Sequence, residues 1–154
     1  MLTHPHAKPE AVSTADCTPI MSELRIVKED SEIEALRRAA RVAVAGMDAA
    51  LQSIKEGVTE SQVAAEAEYA MRQNGAVDFY RSYVSSGPRS SIAHGLPSLR
   101  KLQEGDMVMI DIHPVVDGYT SDNVVIAIGN CGPCTGAWGI RIEDTVMILP
   151  FRRD

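Results

Sequence analysis

A two-residue turn between two acidic strands constrains this sequence more than any other feature. Asp117-Gly118 is a strong hairpin signal, and apolar, strand-like residues lie on both sides of it. If these two residues form the loop, Asp111 pairs with Val124 and His113 pairs with Asp122. Because side chains alternate between the two faces of a strand, Asp111, His113 and Asp122 then share one face. The sequence therefore predicts a hairpin that gathers two carboxylates and an imidazole.

The same register brings the two carboxylates close enough to interact. Asp111 and Asp122 become diagonal cross-strand neighbours, roughly 7–8 Å apart at the backbone. Like charges this close repel unless a positive group lies between them, and one or two divalent cations would fill that role. A three-residue loop would instead shift the pairing by one residue and send the aspartates to opposite faces. A separate alternative is that Asp111 simply ends an apolar run and that Asp122 is an exposed polar residue near a turn.

Length and composition fit one globular domain with a substantial core. The chain has 154 residues, of which 45% are hydrophobic and 23% are charged. The formal net charge of -6 argues against a nucleic-acid partner, which would require a basic patch. The sequence has no apolar run of membrane-spanning length and no apolar leader, so we expect no membrane partner and a cytoplasmic location. Three cysteines, an odd number, do not indicate a disulfide framework.

The order of the predicted elements is typical of an α+β fold, with two amphipathic helices packed on a mostly antiparallel sheet. Ser31 and Glu34 form a capping box for a helix that ends at Gly57, and a cap at Thr59 starts a second helix that ends at Gly75. The first helix carries an apolar stripe at steps of three or four residues: Ile33, Leu36, Ala40, Val44, Met47, Leu51 and Ile54. Strands are predicted at 79–84, 91–94, 107–114, 119–128 and 140–149.

Two further residues are ambiguous when each is taken alone. His94 lies among small residues ahead of Gly95-Leu96-Pro97, where a structural histidine is the more frequent case. Glu143 shares one face of an amphipathic strand with Arg141, which an ordinary ion pair would explain. Neither residue identifies a site without its neighbours in the fold.

Taken together, four blocks of the sequence resemble the pita-bread metallopeptidases, the family of methionine aminopeptidase, Xaa-Pro aminopeptidase, prolidase and creatinase. The blocks occur in the family's order: Leu24 to Ile33, Ala93 to Pro97, Gly105 to Asp122, and Trp138 to Val146. The resemblance implies a partial pita-bread fold of the Xaa-Pro aminopeptidase or prolidase branch. Residues 22–149 would be a shortened catalytic domain, 1–21 a flexible tail or linker remnant, and 150–154 a C-terminal tail.

The resemblance also implies roles for single residues. Asp111 would be a bidentate ligand to one metal ion, Asp122 and Glu143 would bridge two ions, and His94 would contact the substrate or the tetrahedral intermediate. Two divalent ions, of manganese, cobalt or zinc, would activate a bridging hydroxide. That hydroxide would hydrolyse the N-terminal bond of a peptide with proline in the second position. A homo-oligomer is a further expectation.

Departures from the family pattern leave the activity of this chain open. The family uses five metal ligands, and residues 123–142 contain neither the histidine nor the glutamate expected between Asp122 and Glu143. Val124 cannot supply the hydroxyl expected beside the metals. His113 stands where the family often has a small residue, either as a substitute ligand, as a donor that orients a ligand, or as a neutral partner of Asp122. The alternative function is an inactive chain that acts as a binding module.

A second motif indicates a different chemistry. Cys131-Gly132-Pro133-Cys134 matches the thioredoxin-type redox motif, which works at the start of a helix inside a βαβ unit. The residues that follow, Thr135 to Gly139, do not begin an apolar helix. A dithiol redox protein, or a zinc site formed by the two thiolates and His113, is therefore a further alternative.

Overall fold

The structure, a computed structural model, describes residues 15–128, with side chains described up to residue 122. The predicted ligand Glu143, the motif Cys131 to Cys134 and the predicted strand 140–149 lie outside the described residues. The helices are α1 (Thr18–Ile26), α2 (Asp30–Ser53) and α3 (Glu60–Gln73), with one 3-10 turn at Gly87–Arg89. The strands are β1 (Asp78–Phe79), β2 (Tyr83–Ser86), β3 (Met107–Ile112), β4 (Pro114–Val116), β5 (Tyr119–Thr120) and β6 (Asn123–Ile128). These elements confirm the α+β prediction.

Helix α2 begins before the predicted start. Glu29 is the N-cap, and its backbone N–H donates to the Glu32 carboxylate at 2.8 Å in a reciprocal capping box. The capping box predicted at Ser31 was therefore wrong. The sequence offers two overlapping pairs with the same spacing, Glu29 with Glu32 and Ser31 with Glu34, and the structure uses the earlier one.

The buried face of α2 also differs from the predicted stripe. Its buried residues are Ala35, Ala39, Val42, Ala43, Gly46, Met47 and Ala50. Met47 is the one member of the predicted stripe that is fully buried, whereas Val44 is 54% exposed. Small residues form this face because α3 packs directly against it: a side chain at Gly46 would meet Met71 of α3. The prediction favoured large apolar residues and therefore placed the stripe to one side of the buried face, with Met47 on both and Ile54 packed against the core.

Helix α3 follows the sequence prediction at both ends. The Thr59 hydroxyl accepts the backbone N–H of Gln62 at 3.2 Å, and the Gln62 side chain accepts the Thr59 N–H at 2.9 Å. The helix ends at Gln73, directly before Asn74 and Gly75. By contrast, helix α1 lies partly within the segment that was interpreted as a flexible tail, and its residues are all exposed.

The predicted hairpin register is confirmed. Asp111 pairs with Val124 in β3 and β6, and Val116 pairs with Tyr119 across the turn, as a two-residue loop requires. Asp117 and Gly118 both have positive φ, 50° and 80°, which is the conformation of a type I′ turn. The alternative three-residue loop, which would have separated the aspartates, is excluded.

The antiparallel strands form two small sheets, with orders β1-β4-β5 and β2-β3-β6. A bulge in the segment between β1 and β2 separates the two sheets. Phe79 pairs with Pro114, but Tyr83 pairs with Asp111, so three residues (80–82) face two (112–113). The boundary between the two sheets therefore falls at His113.

The core lies between helices α2 and α3 and the β2-β3-β6 sheet. Its largest fully buried members include Met71, Ile110 and Ile112. The strand predicted at 91–94 was wrong, because this segment forms turns on the surface after the 3-10 turn. Among the described residues, no helix is both long enough and apolar enough to cross a membrane.

Candidate metal centre

Three potential metal ligands meet at the boundary between the two sheets. Asp111 is the penultimate residue of the central strand of its sheet, with 1% of its side chain exposed, and Nε2 of His113 lies 2.9 Å from its Oδ1. The same nitrogen lies 3.1 Å from Oδ1 of Asp122. One ligand atom from each residue lies within 4.8 Å of the other two. The hairpin thus gathers the groups that its register predicts on one face.

The His113 ring is oriented by the bulge. Its Nδ1 lies 3.3 Å from the backbone carbonyl oxygen of Arg81, one of the three bulged residues. A hydrogen bond from Nδ1 to that carbonyl turns Nε2 toward the two carboxylates. Metal-binding histidines are commonly held in this way, with the second ring nitrogen donating to a backbone carbonyl or a carboxylate.

The two carboxylates favour a positive charge on the His113 ring, because its Nε2 lies between them. The hydrogen bond to Asp111 raises the pKa of His113, burial opposes that rise, and the charges of Asp111 and Asp122 add to it. The two carboxylates therefore favour the protonated form of the imidazole.

The donor set fits a divalent cation. His113 has one Nε2 proton for two carboxylates, and no described group, that is, no backbone group of residues 15–128 and no side chain of residues 15–122, forms a well-aligned hydrogen bond with the buried Oδ1 of Asp122. Two carboxylates and an imidazole are ligands that manganese, zinc and related ions accept. Nε2 lies 2.9 and 3.1 Å from the two oxygens, so the three ligand atoms are close enough together to contact one ion.

Tyr83 connects the cluster to His94. It pairs with Asp111 across the sheet. Its ring lies edge-on to the His94 ring with centroids 5.1 Å apart, and edge-on to the His113 ring at 6.1 Å. The exposed His94 ring therefore stands on the side of the sheet that carries the ligands. Sequence reasoning missed Tyr83, because only the pairing of β2 with β3, a long-range contact, assigns it to this face.

Comparisons with known proteins agree with this architecture. The sequence model of metallopeptidase family M24 matches residues 34–133. The chain is 38% identical to an Xaa-Pro dipeptidase of Pyrococcus furiosus over 104 residues, which are 67% of the chain and 30% of the relative.

Solved structures give the same result for the fold. A prolidase from Pyrococcus furiosus superposes with a TM-score of 0.71 at 34% identity, covering 75% of this chain and 35% of that structure. An X-Pro aminopeptidase from Thermotoga maritima has a TM-score of 0.67 at 31% identity, covering 71% and 32%.

The chain therefore belongs to metallopeptidase family M24. It spans about a third of the length of the relatives it matches.

Proposed function

We propose that this chain forms one half of a divalent-metal site for hydrolysis of the N-terminal bond of Xaa-Pro peptides. The observation that carries the proposal is the convergence of Asp111, His113 and Asp122 at hydrogen-bond distances around one point. The relatives named Xaa-Pro dipeptidase and prolidase support the substrate class.

Within this proposal, each residue of the cluster has a separate task. Asp111 and Asp122 supply hard oxygen donors, and His113 supplies Nε2 as a third ligand while Arg81 fixes its ring. Glu143, outside the described residues, is the further carboxylate that the family pattern predicts. A divalent ion held there supplies Lewis-acid activation of the scissile carbonyl and of the attacking water.

His94 has the role of a substrate contact. Its ring is exposed and lies against Tyr83, so it can face a bound peptide while the ring edge stays fixed. In our proposal, His94 donates a hydrogen bond to the substrate near the scissile bond, where negative charge develops during hydrolysis.

Metal binding tests the cluster directly. Calorimetry with manganese counts the ions, and electron spin-echo spectroscopy of the bound manganese reports whether an imidazole nitrogen is a ligand. We expect nitrogen modulation in the wild-type protein, its loss in H113A, and its retention in H94A, the matched control. Binding without nitrogen modulation would remove His113 from the ligand set, and no binding at all would contradict the metal site.

Turnover tests the reaction. We expect release of the first residue from an Xaa-Pro dipeptide at saturating manganese, and no release by D111N. D117N, which changes an exposed aspartate of the same hairpin, is the matched control and retains the activity. A wild-type rate no higher than the metal-free blank would contradict the peptidase function. Metal binding without turnover would favour the binding module.

A further inference from the structure

Glu60 is a completely buried carboxylate outside the metal cluster. It is the first residue of α3, and its side chain has an exposed fraction of 0%. Ionisable side chains are rarely buried this fully unless several donors satisfy them. Its partners therefore identify what the burial achieves.

The two oxygens of Glu60 hold two separate points of the chain. Oε1 accepts hydrogen bonds from the backbone N–H and the hydroxyl of Ser86, at 2.7 and 2.8 Å. Oε2 accepts the backbone N–H and the hydroxyl of Ser98, at 3.0 and 2.6 Å. Arg89 forms an ion pair with the same Oε2. One carboxylate thus accepts hydrogen bonds from both ends of residues 86–98.

Residues 86–98, which we call the His94 loop, contain the proposed substrate contact between these two attachment points. Inside the loop, Arg89 also donates to the Leu96 carbonyl at 2.9 Å and to the Ser98 hydroxyl at 3.0 Å. The middle of the loop, residues 91–94, is exposed and forms no strand. The carboxylate of Glu60 therefore holds the loop at its two ends, and Arg89 links residues within it.

The loop approaches the metal side of the sheet through small residues. The backbone of Gly95 lies so close to β2 that an added Cβ would come within 2.8 Å of the Ser85 Cβ. Next to it, the His94 ring meets the Tyr83 ring at 5.1 Å. A shift of either loop end would disturb these contacts, because Gly95 and His94 lie between the two ends.

We propose that Glu60 is the positioning residue for His94: its carboxylate closes the His94 loop and thereby places the imidazole beside Tyr83 and the metal cluster. The inference rests on the proposed function for the catalytic use of His94. The placement itself is independent of turnover. Glu60 does not touch the cluster, so its effect on the site passes through the loop.

The requirement for a carboxylate follows from the donor count. Four N–H or O–H groups of Ser86 and Ser98, together with the Arg89 guanidinium, point at two oxygens. Glutamine keeps the length of glutamate but replaces one acceptor oxygen with an NH2 group, which faces donors instead of acceptors. E60Q therefore weakens the attachment of one end of the loop with almost no change in volume.

The structural test follows amide hydrogen exchange and the His94 ring resonances by NMR. In E60Q we expect exchange of residues 87–97 to quicken about tenfold or more relative to β3, and the His94 ring protons to move toward their positions in an unstructured histidine. M71A is the control: it destabilises the core through a cavity but leaves the loop ends attached. A His94 signal and loop exchange unchanged in E60Q would overturn the inference.

A second variant covers the case in which E60Q does not fold. S98A removes one hydroxyl donor and keeps the charge of Glu60 paired with Arg89. We expect it to shift the His94 resonances in the same direction by a smaller amount. If S98A kept the wild-type resonances and the wild-type exchange rates, the positioning role of Glu60 would be contradicted.

Kinetics then separate positioning from general stability. At a temperature where every variant is folded, we expect kcat/KM to fall by a similar factor in E60Q and H94A, with the double variant no worse than H94A. Additive losses would mean that Glu60 acts independently of His94 and would overturn the inference. A wild-type protein with no turnover, but with the NMR changes above in E60Q, would contradict the proposed function and leave the positioning role intact.

Discussion

The metal cluster and the His94 loop lie on the same side of one sheet but are built by different kinds of contact. Asp111, His113 and Asp122 belong to one hairpin, so a two-residue turn and strand pairing bring them together. His94 lies in a loop that is bound by Glu60 of helix α3, and Glu60 precedes Ser86 by 26 residues in the sequence. The first arrangement is local and set by register, and in our proposal the second uses a distant buried carboxylate. The two should therefore fail independently.

Removing a metal ligand should produce the largest loss of manganese affinity and should disrupt the cluster without changing the His94 loop. We expect D111A to lower manganese affinity by about a hundredfold or more, because it removes the most buried oxygen donors of the site. Isothermal titration calorimetry measures the loss, and D117N, an exposed acid beside the turn, should keep wild-type affinity. His94 ring resonances that stay in place in D111A would show that the two regions are independent; coupled changes would contradict the distinction.

A change at the turn should act on the cluster through register. Gly118 has a φ of 80°, a conformation that β-branched residues adopt only with strain. We expect G118V to destabilise the protein by about 1–3 kcal/mol and to weaken manganese binding. Urea denaturation provides the measurement. G118N, which tolerates positive φ, should lie close to the wild type, and equal stability of the two variants would contradict the strain argument.

Acid should weaken the contact that holds the His94 loop. Burial raises the pKa of the Glu60 carboxyl, but hydrogen bonds from Ser98 and Ser86 outweigh it and leave the pKa below its ordinary value of 4.5. Because the folded-state pKa is depressed, this contribution to stability is fully present above about pH 4.5 and is lost as the pH falls through the folded-state pKa.

The free energy of unfolding of the wild type should therefore decline on acidification below pH 4.5, and E60Q, which cannot titrate, should show a shallower decline. Urea unfolding curves recorded from pH 7 to 3 compare the two. Identical slopes would mean that Glu60 does not contribute to the acid sensitivity.

The smallest effect is expected for the ion pair that joins helix α2 to the hairpin. Nη2 of Arg38 lies 2.8 Å from the Asp117 carboxylate, and both side chains are about half exposed. R38A should change the free energy of unfolding by less than about 1 kcal/mol and leave manganese affinity unchanged. A clear loss of affinity would show that α2, and not only the turn, sets the register of the cluster.

The sequence predicted the local half of this architecture and not the long-range half. The hairpin register, the shared face of its polar residues and the cap at Thr59 depend on neighbours within a few residues, where turn and capping preferences are strong. Tyr83 and Glu60 carried no comparable signal. Their roles depend on strand pairing and on a loop that folds back onto a helix start, which propensity and periodicity do not encode.

The errors in α2 have a similar origin. Its buried face was misassigned because the packing partner, α3, selects alanine and glycine for close approach, whereas periodicity weighs large apolar residues more heavily. The cap at Ser31 failed for a different reason: two pairs with equal spacing competed, and local preference does not separate them. The role of His94 and the metal identity stay predictions.

Because of the bulge at residues 80–82, the number of residues between Phe79 and Tyr83 controls the orientation of the His113 ring. The three-against-two pairing aims the Arg81 carbonyl at the His113 ring while the hairpin itself remains in register. Deleting one residue of the three would let a single uninterrupted ladder form, and the carbonyl would no longer face Nδ1. Insertions and deletions here would consequently change the orientation of the His113 ring without moving Asp111 or Asp122. Relatives with segments of different length would then share the two aspartates and differ in the residue that lies between them.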